Sequence, residues 1–255
     1  MNETRKGKWL ETTGTSLKVL RALKELDGAT ISEVADHLDR PKSTVLNHLV
    51  TLAEARYAVE EEGEYYPALG LLDFGEYVRH RKPGYDLAEQ YTEQLTEETG
   101  LRSIFVVEEH GRGVFLHTKP GEHSDFRHER LGNVLYLHDT AVGKALLAEL
   151  PAERVERILD RWGLPAETDN TITDRETLLE ELDAVRERGY ALNYGENIEG
   201  LNAVGVAVSD EDDGLLGAFS VSGAKRQLSG TRLEEAVPQK LLGVANEFEL
   251  ELSLS

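Results

Sequence analysis

The chain has 255 residues, no cysteine and a formal net charge of −20 at pH 7. This length allows one small and one medium domain, each with its own core, and the lack of cysteine excludes disulfides and thiolate metal sites. There is no apolar run of roughly 18 residues and no signal-peptide pattern at the start, so we expect a cytoplasmic protein with no membrane partner.

The charge is unevenly distributed along the chain. Residues 1–58 hold nine Lys or Arg and eight Asp or Glu, whereas residues 83–255 hold 16 basic and 34 acidic side chains. The negative charge of residues 83–255 would repel nucleic acid. Residues 1–58 are nearly neutral and present no such barrier. The evenly spread carboxylates resemble the surfaces of halophilic proteins; an ordinary acidic mesophilic protein is the alternative.

The first predicted element is a helix. Residues 1–15 are polar and indicate a flexible arm, and Ser16 is a suitable N-cap. The helix ends at Asp27-Gly28, and its predicted buried stripe is Leu17, Leu20, Leu23 and Leu26.

Residues 30–55 predict two short helices joined by a tight turn. Thr30 and Glu33 have the spacing of a capping box, and Pro41 suits the start of the second helix. The apolar positions of that helix fall on one side, so its polar positions face outward or sit on the shoulder: Lys42, Ser43, Thr44, Asn47, His48 and Thr51. Small polar side chains that follow a lysine are typical of a helix that binds in the DNA major groove. The alternative is an ordinary amphipathic helical hairpin with a polar outer side.

After the second helix, the spacing of the apolar residues changes from a helical to a strand pattern. Tyr57–Glu60 and Glu64–Pro67 flank a glycine-containing turn and predict a β-hairpin, which completes the order of a winged helix-turn-helix. Leu69–Arg81 returns to helical spacing. Its apolar residues cover more than one face, which predicts an interface with a partner, and residues 82–84 break the chain.

The remainder alternates helical and strand patterns. Helices are predicted at Asp86–Thr99, Thr140–Leu150, Glu153–Trp162 and Arg175–Arg188 and from Thr231 onward. Strands are predicted at Ser103–Val107, Val114–Thr118, Tyr190–Tyr194, Ala203–Ser209 and Leu215–Ser222. Because the strands are joined by short turns, we expect an α+β fold with a largely antiparallel sheet and helices packed on it.

Six segments, taken in order, resemble the IclR family of transcriptional regulators. They are TGTSLKVLRALKEL, RPKSTVLNHLVTL, EYYPALGLLDFG, LHDTAVGKALLAEL, RERGYALNYGENIEGLNAVGVAVSD and LGAFSVSG. The resemblance implies a winged helix-turn-helix DNA-binding domain over 1–68, a linker helix over 69–84 and a GAF-like α/β effector domain over 85–255. It also implies a homodimer or dimer of dimers that binds a double-stranded DNA operator and a small organic acid or sugar acid, without a cofactor.

The same resemblance implies the effector-binding residues: Ala141, Val142, Asn193, Ala203, Ser220 and Ser222. The physical chemistry agrees, because free N–H groups at a helix start favour a carboxylate and serines two apart on a strand face one side. The alternative is that the serines only line a core edge. We expect a donor-rich, uncharged cluster. Asn193 and Ala203 stand where some members have Asp and Cys, so the ligands of those members are not assumed.

The DNA-binding segment also departs from the family pattern. Asn47 and His48 replace the frequent Arg and Leu, which changes the expected operator sequence. The wing carries Glu60, Glu61 and Glu62, which would repel phosphate. These acidic residues support an alternative in which the chain senses a ligand and acts through a protein partner.

A metal-dependent enzyme is the remaining alternative. His117, His123 and His128, with Asp125 or Glu129, could hold a metal ion, although solvated loop histidines are the more common outcome. The segment around Ser220 is not a G-x-S-x-G elbow, and the sequence has neither a P-loop nor an H-E-x-x-H motif. We therefore expect a protein that is not an enzyme.

Overall fold

The structure, a computed structural model, describes residues 7–122, 131–210 and 214–254. The chain divides into two compact units, Met1–Val78 and Arg79–Ser255. Within the described residues, no helix is long and apolar enough to cross a membrane.

The first unit is a helical core with a β-hairpin. Its elements are α1 (Glu11–Glu25), α2 (Ile31–Leu38), α3 (Lys42–Glu54), β1 (Ala58–Glu61), β2 (Glu64–Pro67) and α4 (Leu71–Arg79), the last ending one residue into the second unit. Val19, Leu23, Val34 and Leu49 form the centre of its core. This is the predicted order of a winged helix-turn-helix.

Two local predictions in this unit are confirmed. The Thr30 hydroxyl accepts a hydrogen bond from the Glu33 N–H while the Glu33 carboxylate accepts one from the Thr30 N–H, which completes the capping box. In the hairpin, Glu62 and Gly63 both have positive φ (53° and 91°), the combination that suits a two-residue turn between twisted strands.

The prediction for α1 was wrong in two respects. The helix begins at Glu11 rather than after Ser16, and Leu17 and Leu26 are exposed. Leucines spaced by three residues drift about 60° per step around a helix, so a run of four cannot share one face. The buried face instead follows Val19, Ala22 and Leu23.

The second unit is built on one antiparallel sheet. Its helices are α5 (Pro83–Thr99), α6 (Ala141–Glu149), α7 (Ala152–Trp162), α8 (Arg175–Arg188) and α9 (Val237–Ser253), with a π-helical turn at Arg232–Ala236. Its strands are β3 (Arg102–Glu109), β4 (Arg112–Lys119), β5 (Val134–Leu135), β6 (Ala191–Tyr194), β7 (Leu201–Asp210) and β8 (Gly214–Ala224). The spatial order is β5-β4-β3-β8-β7-β6.

Alternation along the strands divides the core between the two faces of the sheet. Phe105 and Phe219 face α5 and α9, where they meet Phe248. Ile104 and Ala218 face the other way, toward the apolar side of α6, α7 and α8. The helix α5 begins at Pro83 rather than at the predicted Asp86, so the break between α4 and α5 falls at residues 80–82 rather than at 82–84.

Candidate functional site

A cavity of about 330 Å³ lies between the sheet of the second unit and the start of α6. The structure brings all six effector-binding residues implied by the resemblance to its wall: Ala141, Val142, Asn193, Ala203, Ser220 and Ser222. They come from four separate elements. Their meeting is therefore a property of the strand order and not of nearness in sequence.

The register of the strands explains the floor of the cavity. Arg102 pairs with Ser222, Ser222 with Ala203, and Ala203 with Asn193, so one row crosses four strands. Residues that are directly opposite on neighbouring strands point to the same side of a sheet. The row therefore presents a guanidinium, a hydroxyl, a methyl group and an amide on the face that α6 covers.

A glycine in the next row lets α6 approach closely. A Cβ at Gly205 would lie 2.5 Å from the carbonyl oxygen of Ala141 and 2.7 Å from the amide nitrogen of Val142. Any side chain there would push the helix start off the sheet. With glycine, the first-turn N–H groups, which have no partner within the helix, lie directly over the floor.

The side chain of Thr140 caps one of these N–H groups. Its Oγ1 accepts a hydrogen bond of 3.1 Å from the Gly143 N–H. Ala141 and Val142 precede that amide and line the cavity. The positive end of the helix dipole adds to the attraction for an anion at this point.

Arg102 is a candidate binding residue that sequence reasoning missed, and its presence in the wall contradicts the prediction of an uncharged cluster. Its side chain lines the cavity and only 5 % of the residue is exposed. The guanidinium Nη1 lies 3.3 Å from Ser222 Oγ, and Cζ lies 5.7 Å from the centre of the Phe115 ring. Burial lowers the pKa of Arg102 to about 10, so the group still carries its charge at neutral pH.

One sequence signal could have found this arginine. Arg102, Ile104 and Val106 alternate along β3, and the last two belong to the buried face that α6 covers. An arginine in phase with core positions is directed inward. Its position on the face that α6 covers was therefore readable from the period of the strand.

Asn193 and Ser220 already have hydrogen-bond partners within the protein. Asn193 Nδ2 donates to the Asp139 carbonyl at 2.6 Å, and its Oδ1 accepts from two backbone N–H groups in the turn after β6. Ser220 Oγ donates to the Val204 carbonyl at 2.7 Å. The hydroxyl proton of Ser220 is thus used, and Asn193 retains one amide proton, so both offer fewer donors than the sequence suggested.

A second guanidinium, stacked on a tyrosine ring, also lines the cavity. Arg112 Cζ lies 3.6 Å from the centre of the Tyr136 ring, and its Nε donates to the Leu135 carbonyl at 2.9 Å. Glu167 also lines the cavity. Two arginines and one carboxylate leave the described wall with a net positive charge.

A buried ionic network stands behind α6. Lys144 Nζ lies 2.8 Å from Glu196 Oε1 and 3.5 Å from Glu181 Oε1. Burial raises the pKa of Glu196, and the attraction of Lys144 opposes that shift. Because Asn197 and Ile198 follow Glu196 and line the cavity, this network positions part of the cavity wall.

The histidine cluster considered for a metal lies mostly outside the described residues, which exclude His123, Asp125, His128 and Glu129. His117 is buried, and its Nε2 donates to the Tyr85 carbonyl at 2.7 Å. Across 7–122, 131–210 and 214–254, no group of three or more His, Cys, Asp or Glu side chains could hold a metal ion.

The outer face of α3 lies in the first unit. Lys42, Ser43, Asn47 and Thr51 are exposed and Thr44 is half-buried. Thr51 Oγ1 donates to the Asn47 carbonyl of its own helix at 2.8 Å, which leaves its lone pairs outward. Leu46 and Val50 are exposed on the same helix, and sequence reasoning had not singled them out.

The placement of His48 on the DNA-facing shoulder was wrong. The residue is only 9 % exposed, and its Nδ1 lies 2.9 Å from Ser16 Oγ. The reason is the greater length of α1, which carries Ser16 in its second turn rather than at its cap. His48 thus joins two helices and is not available at the outer face.

Comparison with known families assigns both units. The IclR helix-turn-helix domain matches residues 16–62, and the C-terminal domain of the bacterial transcriptional regulator IclR matches residues 80–249. The chain belongs to the IclR family. IclR-family proteins found by these comparisons are transcriptional regulators, so this chain is a DNA-binding regulator and not an enzyme.

Three relatives illustrate the similarity. The "Probable HTH-type transcriptional regulator ArcR" of Halobacterium salinarum is 28 % identical over 242 residues, which cover 93 % of this chain and 92 % of that protein. The crystal structure of Thermotoga maritima IclR is 28 % identical with a TM-score of 0.77, covering 95 % of this chain and 99 % of that one. The inducer-binding domain of an Acinetobacter PobR double mutant, complexed with 3-hydroxybenzoic acid, is 30 % identical with a TM-score of 0.59, covering 64 % and 96 %.

Proposed function

We propose that this IclR-family regulator binds its DNA operator as a homodimer or dimer of dimers in the cytoplasm, under the control of a small carboxylate bound in the cavity beneath α6. The proposal divides the chain into a DNA-binding domain over 1–68, a linker helix over 69–84 and an effector domain over 85–255. Lys42, Ser43, Thr44, Asn47 and Thr51 are its DNA-contacting residues. Ala141, Val142, Asn193, Ala203, Ser220, Ser222 and Arg102 are its effector-binding residues.

The observation that carries the proposal is the position of Arg102. A buried guanidinium beside Ser222 faces the same cavity as the amides at the start of α6. A planar fork of donors suits a carboxylate, which can accept two parallel hydrogen bonds from it.

The size and lining of the cavity favour a small organic acid. Its apolar wall includes Ile104, Phe115 and Val142, and its polar groups cluster around the row from Arg102 to Asn193. The 3-hydroxybenzoic acid bound by the Acinetobacter relative has a carboxylate and one further oxygen. An acid with a neighbouring hydroxyl or keto oxygen, including a sugar acid, matches the same set of donors here.

Calorimetry on wild type and variants tests the carboxylate site. We expect 3-hydroxybenzoate, a keto acid and a sugar acid to be the productive classes, and the amide of each acid to bind more weakly. Arg102→Gln should weaken acid binding by ~1.5–3 kcal/mol, because it removes a charged donor. Ser222→Ala should cost ~0.5–1.5 kcal/mol for one neutral hydrogen bond.

The exposed Arg226 provides a matched control, since Arg226→Gln removes the same charge from the surface. Unfolding midpoints establish that each variant is folded. Tighter binding of the amides, or unchanged acid binding by Arg102→Gln, would show that the carboxylate does not sit at this arginine.

A further inference from the structure

The outer face of α3 carries two large apolar side chains in the middle of its polar groups. Leu46 is 39 % exposed and Val50 is 48 % exposed. They are four residues apart and therefore adjacent on one face of the helix. Val50 points almost the same way as Ser43, since seven residues make nearly two full turns.

The neighbouring helix α2 exposes no large apolar side chain of this kind. The exposed residues of α2 within the same unit are Glu33, Asp36, His37 and the flanking Asp39, all of them polar. Val45, Leu49 and Leu52 are the apolar residues that α3 contributes to the core of the unit, and Leu46 and Val50 are not part of that core. Leu46 and Val50 thus contribute little to the core, and their exposure is unfavourable in the free protein.

The family match of the first unit indicates that the outer face of α3 binds DNA. Residues 16–62 match the IclR helix-turn-helix domain, and α3 is the second helix of that motif, the one that enters the major groove. In the major groove, the 5-methyl group of thymine is the apolar feature presented by the bases, and apolar side chains contact it. Polar groups on the same face read the base edges beside it.

We propose that Leu46 and Val50 read thymine methyl groups and so determine where the operator half-site requires thymine. In this arrangement Asn47, which lies between Leu46 and Thr51 in sequence, contacts a neighbouring base edge. The inference rests on the DNA-binding role of the family and adds a base preference to it.

Replacement of thymine by uracil tests this directly, because it removes one methyl group and leaves base pairing unchanged. The full-length protein is first used to select binding sites from a random duplex library. Each thymine of the selected site is then replaced singly by uracil, and affinities are measured by fluorescence anisotropy. Loss of one methyl contact should weaken wild-type binding about fourfold, equal to ~0.8 kcal/mol for one buried carbon group.

Alanine variants of α3 test whether the loss of affinity caused by uracil depends on Leu46 and Val50. Leu46→Ala and Val50→Ala should each bind the thymine site more weakly and should each lose the uracil penalty at one position. Leu26→Ala is the matched control, because Leu26 is 37 % exposed on α1 and should retain every penalty. Circular dichroism and the unfolding midpoint verify that the variants are folded.

The opposing outcomes are distinct. A selected site at which no uracil matters, or penalties that persist in both variants, would overturn the inference while leaving DNA binding intact. Equal loss on all sequences together with a halved molecular mass would overturn it in favour of a contact between copies of the chain. Failure to select any sequence would overturn both this inference and operator binding.

Discussion

The cavity beneath α6 and the outer face of α3, the two regions proposed to bind partners, are built in opposite ways. In the cavity, Asn193, Ser220 and Arg102 are buried, and hydrogen bonds to backbone or neighbouring side chains hold them. On α3, Ser43, Leu46 and Asn47 are exposed. A buried site is pre-organised before its ligand arrives, whereas an exposed face is completed by its partner.

The two regions require different things from the rest of the chain. The cavity depends on strand register and on a glycine that admits α6, so distant changes can distort it. The α3 face depends on the helix alone, so its side chains can change without loss of the fold. Mutations should therefore separate the two regions by stability as well as by binding.

The largest expected effect is in the network behind the cavity. Lys144→Ala would leave Glu196 buried without its cation, which should lower the free energy of unfolding by ~3–5 kcal/mol. Denaturant unfolding measures the loss, with the exposed Lys225→Ala as control. Adding Glu196→Gln to Lys144→Ala should recover part of it. A loss equal to that of the control would show that the network does not support the cavity.

The next effect concerns assembly and the exposed region. Leu72 and Tyr77 are exposed on α4, and neither has a place in the core of the first unit. If α4 is the dimer interface, Leu72→Glu with Tyr77→Glu should yield monomers that bind the operator more than tenfold more weakly. Light scattering decides, with Leu254→Glu as a control at another exposed leucine. Retention of the wild-type mass would place the interface elsewhere.

An effect of comparable size distinguishes two kinds of contact on α3. Asn47→Ala should cost ~1–3 kcal/mol on the specific site and little on random DNA, because an amide reads a base edge. Lys42→Ala should weaken both and reduce the slope of affinity against salt by about one unit, because a lysine meets phosphate. Equal losses on both DNAs for Asn47→Ala would contradict its assignment as a base-reading residue.

Local chemistry predicted much of the fold. The bounds of α8 and its end at Gly189 are those expected from helical period and a left-handed glycine, and the capping box at Thr30 needs only four residues. Such features depend on neighbours in sequence. They are accordingly visible before any tertiary contact is known.

The missed features depend on long-range packing. Arg102 meets Ser222 because β3 lies beside β8, a pairing across 120 positions that no local pattern encodes. His48 is buried because α1 extends far enough to bring Ser16 over it. The six proposed effector-binding residues came from family resemblance, and the strand register supplies the reason they meet in one cavity.

The most direct test of the account measures operator affinity with and without the acid that calorimetry identifies. Coupling between the cavity and α3 predicts that saturating acid changes the operator affinity of wild type roughly 5–150-fold. By thermodynamic linkage, bound operator must change the affinity for the acid by the same factor. Arg102→Gln should bind the operator as wild type does in the absence of acid and should lose the response. An operator affinity that the bound acid leaves unchanged in wild type would contradict control of DNA binding through this cavity.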